Sequence, residues 1–363
     1  MDQKDSKKLF FHFLLGAGLF LFAMGMIVFL ADPFFHYHSP WFGLAAVQDE
    51  KEYQVPGVLA HVDHDSVLFG SSTVMSINTD VLDERFSCKT VKAVGNSASA
   101  PYLNECLRRA FDAYELKYVF YAFEVFAFYT DPDMNVFPKD VRYLTNSNPF
   151  DDVKYLWNGE VIGKKIPDMI RTTRAGNYSW GTAYNFNQYG ELGPEAVFSY
   201  WGLFERSEIE QLPWDYELDI VEENVRRLEE VVAAHPETEF LFFLPPYSII
   251  WWDRAYLYGE LDSYEHTLKF ALEVLLQHDN VRAYTTFFNS QEVITDMYLY
   301  MDGTHAGPEV TDRMAMELGN EDIEITLDNY EEEVDALMEL YAVYKERVEQ
   351  EGYAILYQPG GMQ

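Results

Sequence analysis

Cysteine is nearly absent. Cys88 and Cys106 are the only two in 363 residues, too few for a disulfide-built scaffold or a structural zinc site. Two readings of the pair stay open, a single bridge in an oxidising compartment or two buried free thiols. Positive charge is also scarce. Lys and Arg number 26 against 60 Asp and Glu, a formal charge of −34. A field of that sign repels phosphate backbones, so nucleic acid is not an expected partner. It also disfavours anionic lipid surfaces, and any membrane attachment is expected to come from an apolar segment rather than from charge. No internal repeat is visible. What is present is a hydrophobic content of 48% and an aromatic content of 17%, enough for a sizeable core and for an aromatic-lined cleft.

The long apolar run is Leu9 to Ala31, LFFHFLLGAGLFLFAMGMIVFLA, without Asp, Glu, Lys or Arg. As a helix it spans roughly 35 Å at about 1.5 Å per residue, enough to cross a bilayer with some tilt. Lys4, Lys7 and Lys8 precede it, which puts the N-terminus in the cytoplasm and the rest outside. Phe34, Phe35, Tyr37 and Trp41 follow it, as an aromatic belt at the far interface would. A cleaved signal peptide is the rival, but its apolar region would be shorter, and Phe29-Leu30-Ala31 lacks the small first residue of a cleavage site. The expectation is a single-pass protein of the cell membrane, bound to the bilayer through residues 9–31.

Residues 32–60 read as a juxtamembrane stalk. Beyond them short apolar runs alternate with helical patterns. Asp65–Phe69, Thr90–Val94, Lys117–Phe123, Phe240–Leu244 and Val281–Tyr284 read as strands. Ile77–Phe86, Ala100–Tyr114, a helix from Tyr216 with Asp215 as its cap, Leu261–Gln277, Pro308–Leu318 and Tyr330–Glu351 read as helices. Between about 126 and 214 the rhythm breaks in a stretch rich in aromatics, Asn, Gly and Pro, read as an insertion or cap. The fold class is α/β, a three-layer sandwich with a mainly parallel sheet. The expected divisions are 1–8 cytoplasmic tail, 9–31 transmembrane helix, 32–60 juxtamembrane segment, 61–320 α/β domain and 321–363 C-terminal helix and tail.

In such sheets ligands bind beyond the carboxyl ends of the strands. After the first strand comes Gly70-Ser71-Ser72-Thr73, where a sharp turn into a helix would expose Ser72 Oγ and aim backbone N–H groups at an oxyanion. After the second comes Gly95-Asn96-Ser97, where glycine lets a backbone N–H approach closely. Near the C-terminus comes Asp302-Gly303-Thr304-His305. A carboxylate three residues before an imidazole can accept from Nδ1–H and leave Nε2 as a base toward serine. The candidate triad is Ser72, Asp302 and His305, with Ser72, Gly95 and Asn96 around the oxyanion. Tyr247 and Trp251, after the fourth strand, are candidates for the pocket wall.

These blocks, in this order, resemble the SGNH or GDSL hydrolases. Gly70-Ser71-Ser72 matches the family's nucleophile block, Gly95 its second block, and Asp302 with His305 its last. The resemblance spans roughly residues 60 to 320. It implies acyl transfer through a serine ester, with no cofactor and no metal. The membrane-anchored Gly-Ser-Ser form looks most like the proteins of lipoteichoic acid D-alanylation and exopolysaccharide acetylation. That implies a cell-surface glycan or teichoic acid as acceptor and a multi-pass membrane O-acyltransferase as partner. The chain departs from the family at its third block. Where the family places an oxyanion asparagine, this chain has Tyr121-Ala122-Phe123-Glu124-Val125, so Glu124 is read as a contact to a substrate hydroxyl or a basic group. A second reading is a non-catalytic glycan-binding or assembly component of a polysaccharide export system.

Other clusters have simpler readings. His61, Asp63, His64 and Asp65 suit a solvated loop, with a metal site as the rival. Lys164, Lys165, Arg171 and Arg174 could hold an anionic group or be ordinary paired surface charge. Trp157, Trp180, Trp201 and Trp214 suit core packing or a sugar-stacking wall.

Overall fold

The computed structural model describes residues 3–134, 136–137, 141–146, 148–176, 178–186, 190–201 and 209–362. Parts of the expected insertion, and the Lys4 side chain, lie outside the described residues. In chain order the elements are α1 (Gln3–Ala31), α2 (Lys51–His61), β1 (Ser66–Gly70), α3 (Thr79–Phe86), β2 (Thr90–Val94), α4 (Ala100–Ala113), β3 (Tyr118–Ala122), α5 (Val153–Leu156), α6 (Ile166–Ala175), α7 (Pro194–Trp201), α8 (Leu218–Ala234), β4 (Glu239–Phe243), α9 (Ile249–Leu257), α10 (Leu261–Leu275), β5 (Val281–Tyr284), α11 (Gln291–Ile294), α12 (Pro308–Glu317), β6 (Glu324–Ile325) and α13 (Tyr330–Glu351). They fall into two compact units, residues 1–63 with 137–179, and residues 64–136 with 180–363.

The second unit is α/β. Its six strands lie in the order β2-β1-β3-β4-β5-β6, parallel except for β6. Near-continuous apolar runs such as FLFF in β4 and SVLFG in β1 suit strands covered on both faces, and both are almost wholly buried. The order turns back at β1 and β3, so the crossovers leave in opposite directions and open a crevice at the carboxyl ends of those two strands. α8 begins at Leu218 without the expected Asp215 cap. Glu217, in the left-handed region at φ 53°, precedes it and caps nothing with its side chain.

The first unit holds α1, which is long and apolar enough to span a membrane. Residues 32–60 are not a stalk. They include α2, and Phe34, Phe35, Val55, Val58 and Leu59 are buried. Phe34 joins Val28, Val141, Tyr143, Leu144, Tyr155 and Val161 in one core cluster, so Phe34 and Phe35 face protein rather than an interfacial belt. Asp32 closes the end of α1, accepting from the backbone N–H groups of His36, Tyr37 and His38 and from Tyr155 Oη. Tyr155 belongs to residues 137–179, so the middle of the expected insertion folds with the N-terminal segment.

Candidate active site

The site is built from four chain segments of the second unit. At the end of β1, Gly70 leaves no room for a side chain, since a Cβ there would meet Val74 Cγ2 at 2.6 Å and Ala122 Cβ at 2.9 Å. That lets the following turn press onto β3. The turn is a single 3-10 turn, Ser72–Val74, and α3 starts only at Thr79 behind an Asn78 cap. The helix expected over Ile77–Phe86 therefore starts two residues later, and the backbone N–H groups nearest Ser72 belong to the 3-10 turn rather than to that helix. Ser71 and Thr73, on either side of Ser72, bond to one buried group, and this local demand outweighs helix propagation. Ser71 and Thr73 are buried and Ser72 is half-buried.

That buried group is Glu124, fully enclosed at the end of β3. Oε1 accepts from Ser71 N–H at 2.6 Å and Thr73 Oγ1 at 2.9 Å, and Oε2 accepts from Ser71 Oγ at 2.6 Å and Tyr247 Oη at 2.8 Å. Burial pushes the Glu124 pKa up, while these four donors pull against it. The expected contact of Glu124 with substrate is thus corrected. Both oxygens are occupied by the protein, and the side chain braces the turn that carries Ser72. Tyr247 shares that work. It is buried and stacks on Trp251 with ring centroids 4.3 Å apart, so it backs the pocket wall and Trp251 forms it.

Asp302 and His305 lie in a tight loop closed by the Tyr300–Ala306 bridge and by Met301 N–H donating to the His305 carbonyl. Asp302 Oδ1 accepts from the backbone N–H groups of Thr304 and His305, at 2.7 and 2.9 Å. Its Oδ2 lies 2.7 Å from His305 Nδ1, and His305 Nε2 lies 2.7 Å from Ser72 Oγ. Phe186 meets the imidazole edge-on at 5.3 Å. Burial pushes the Asp302 pKa up, but the hydrogen bond and charge of His305 and the two N–H groups outweigh it and leave the carboxyl below its ordinary range. The loop is held from behind. Ser248 Oγ donates to the Gly303 carbonyl at 2.7 Å, and a Cβ on Gly303 would strike the Trp201 ring at 2.9 Å.

The second block differs from expectation. Gly95 N–H donates to the Gly70 carbonyl, at 3.4 Å. It continues the β1–β2 pairing and is not available to an oxyanion. Asn96 is exposed and does not line the cleft, whereas Ser97, at φ 44°, does. Among the described residues the backbone N–H of Ser72 has no hydrogen-bond acceptor.

Ser72 and His305 open into a cleft of about 400 Å³, within the size range of small-molecule sites. Phe126, Tyr200, Trp201, Trp251, Tyr258 and Tyr264 make its aromatic wall, and Arg254 and Glu260 are its charged residues outside the triad. The Arg254 guanidinium sits 4.4 Å from the Trp201 ring. Sequence reading missed Ser71, Thr73, Ser97, Arg254, Glu260 and Tyr264. For the last three no local signal existed, because α9 and α10 bring them to the cleft.

The remaining clusters separate. His61 Nδ1 meets the Phe35 carbonyl, His64 packs on Tyr114, and Asp65 pairs with Lys117. Among the described residues no group of three His, Cys, Asp or Glu side chains is arranged to hold a metal. Cys88 and Cys106 are free thiols. The chain matches no family model and none of the curated proteins.

Proposed function

We propose that the second unit is an SGNH-type serine esterase or O-acyltransferase, held outside the cytoplasm by α1 and acting on acyl groups of cell-surface polysaccharide or teichoic acid. One observation carries this reading, the continuous relay from Asp302 through His305 to Ser72 Oγ at the mouth of an aromatic cleft. His305 takes the Ser72 proton as Oγ attacks the acyl carbonyl, Asp302 stabilises the imidazolium, and the imidazolium then passes that proton to the donor oxygen as its bond to the acyl carbon breaks. The Ser72 N–H faces the developing oxyanion. Water or a glycan hydroxyl then accepts the acyl group, and a multi-pass membrane acyltransferase is the expected source of the donor. The three-layer arrangement is part of the proposal. It is supported by α3 packing on β2 and α12, and by a second row in which α4, α8 and α10 pack in succession.

A serine-directed fluorophosphonate tests the mechanism on the full chain. Wild type is expected to label and Ser72→Ala to lose the label while keeping its fold. A folded wild type that does not label refutes an activated Ser72. The second reading, a glycan-binding component without catalysis, is favoured by one observation. Neither Gly95 N–H nor an amide at position 124 is available to an oxyanion. It requires glycan binding that survives Ser72→Ala.

A further inference from the structure

The exposed apolar and basic residues of the first unit have no part in the chemistry above. α5 descends along α1. At its start Asp152 accepts from Tyr37 Oη. Just beyond its end Trp157 Nε1 donates to the Leu21 carbonyl at 2.8 Å, and its ring covers Gly25. Leu21 lies well inside the apolar run. Counting from Leu9, a hydrocarbon core of about 30 Å takes about 20 helical residues and ends near Val28. Gly25 is then about 5 Å and Leu21 about 10 Å below the far boundary, at the rise of about 1.5 Å per residue. This is the depth at which interfacial segments sit, roughly 5–10 Å.

The composition fits that depth. Val153, on α5 packed along α1, is 50% exposed and Trp157 41%, and Phe150 at 85% and Ile170 at 41% flank them in the same segment, a set that a water-facing surface would not gather. After Trp157 the chain turns. Asn158 Oδ1 caps the N–H groups of Glu160 and Val161, and a π-helical turn over Val161–Lys165 leads into α6. Lys165 is buried against Asp49 and Glu50. Lys164, Arg171 and Arg174, seven and three positions apart, share one helix face and are exposed. Lys164 and Arg171 have carboxylate neighbours, the exposed Glu160 and the half-buried Asp168, and pairs open to solvent bind weakly. Residues 137–179 hold seven basic and five acidic residues, a net of +2 in a chain of −34.

We infer that residues 150–174 form a wedge that enters the bilayer beside α1, in the leaflet away from the N-terminus. Trp157 and its apolar neighbours lie among acyl chains, and Lys164, Arg171 and Arg174 lie at the phosphates of anionic lipids. The occupant is bilayer lipid because the segment is continuous with α1 and reaches down it. The inference rests on the reading of α1 as a membrane span.

The test uses the full chain in vesicles of phosphatidylcholine and phosphatidylglycerol, on a Cys88→Ala background. A nitroxide is placed at Gly159→Cys, where an added side chain has open space. Others go at Phe20→Cys on α1 and at exposed Met316→Cys on the second unit. Collision with oxygen, relative to an aqueous nickel reagent, is expected to be several-fold higher at 159 than at 316, and higher still at 20. A water-like result at 159 with a buried result at 20 overturns the wedge alone. A water-like result at both overturns the membrane span and the wedge with it. The variant Lys164→Gln/Arg171→Gln/Arg174→Gln is expected to make 159 shallower in vesicles with phosphatidylglycerol and to leave it unchanged in phosphatidylcholine. An unchanged depth in both refutes the contact with anionic lipid.

Discussion

Glu124 is the residue whose removal discriminates most sharply. Replacing it by alanine strips one N–H and three hydroxyls of their acceptor inside a fully buried site. An unmet buried donor costs about 1–3 kcal/mol. Hydroxyls can turn elsewhere and the Ser71 N–H cannot, so the total is about 3–5 kcal/mol, in the range for breaking a buried charged network. At about 2–4 °C per kcal/mol for a unit of this size, melting should fall by roughly 6–20 °C. Glu124→Gln keeps an oxygen for Ser71 N–H and Thr73, and an amide that can donate to Ser71 Oγ and Tyr247 Oη. Charge-assisted bonds are about twice as strong as neutral ones, so glutamine should cost about 1–3 kcal/mol. Both variants shift the turn that carries Ser72, and fluorophosphonate labelling should slow by roughly 10–100-fold, since a misplacement of about 1 Å costs that much. Circular dichroism melts and labelling rates read the two effects separately. An alanine variant that melts within about 2 °C of wild type and labels at the same rate would refute the bracing role.

Asp302→Asn should reduce labelling by about 10²–10⁴-fold, the usual share of a positioned acid–base pair. Because the folded Asp302 pKa lies below its ordinary value, its stabilisation is present above about pH 4 and is lost as pH falls through the folded value. Asn should remove that acid dependence from melting curves, and an unchanged acid limb would count against it. Lys92 is buried in β2 and donates to the Met75 and Ala183 carbonyls at 2.7 and 2.8 Å. Burial lowers its pKa to about 7, against an opposing pull from Asp80. The unfolded chain then holds a proton that the folded chain lacks between about 7 and the ordinary 10.5, so wild-type stability should rise with pH across that window. Lys92→Met should flatten the rise, and parallel melting profiles for the two proteins would sink the assignment.

Legibility in the sequence followed the range of the interaction. Thr90–Val94 and Val281–Tyr284 are legible at their observed bounds because a short strand rich in Val, Thr or Tyr between turns announces itself within a few residues, even with one basic residue in each. Helix α13 is legible end to end, whereas the start of α9 is hidden by Pro245-Pro246 and by the unbroken apolar run Ile249 to Trp252. Residue type pointed to Glu124 as unusual but gave no hint of direction. Its four donors come from positions 71, 73 and 247, far away in the chain.

By itself the sequence determined the apolar helix, the alternation of strands and helices, and the serine, aspartate and histidine that meet in space, because periodicity and turn chemistry are local. Only the tertiary structure decided that Gly95 N–H is used by Gly70, that Glu124 faces inward, that α7, α9 and α10 wall the cleft, and that residues 137–179 fold with the N-terminal segment. Each of these is a pairing between distant positions. A hydrogen-bond partner or a packing neighbour at such separation leaves no periodic trace in the chain.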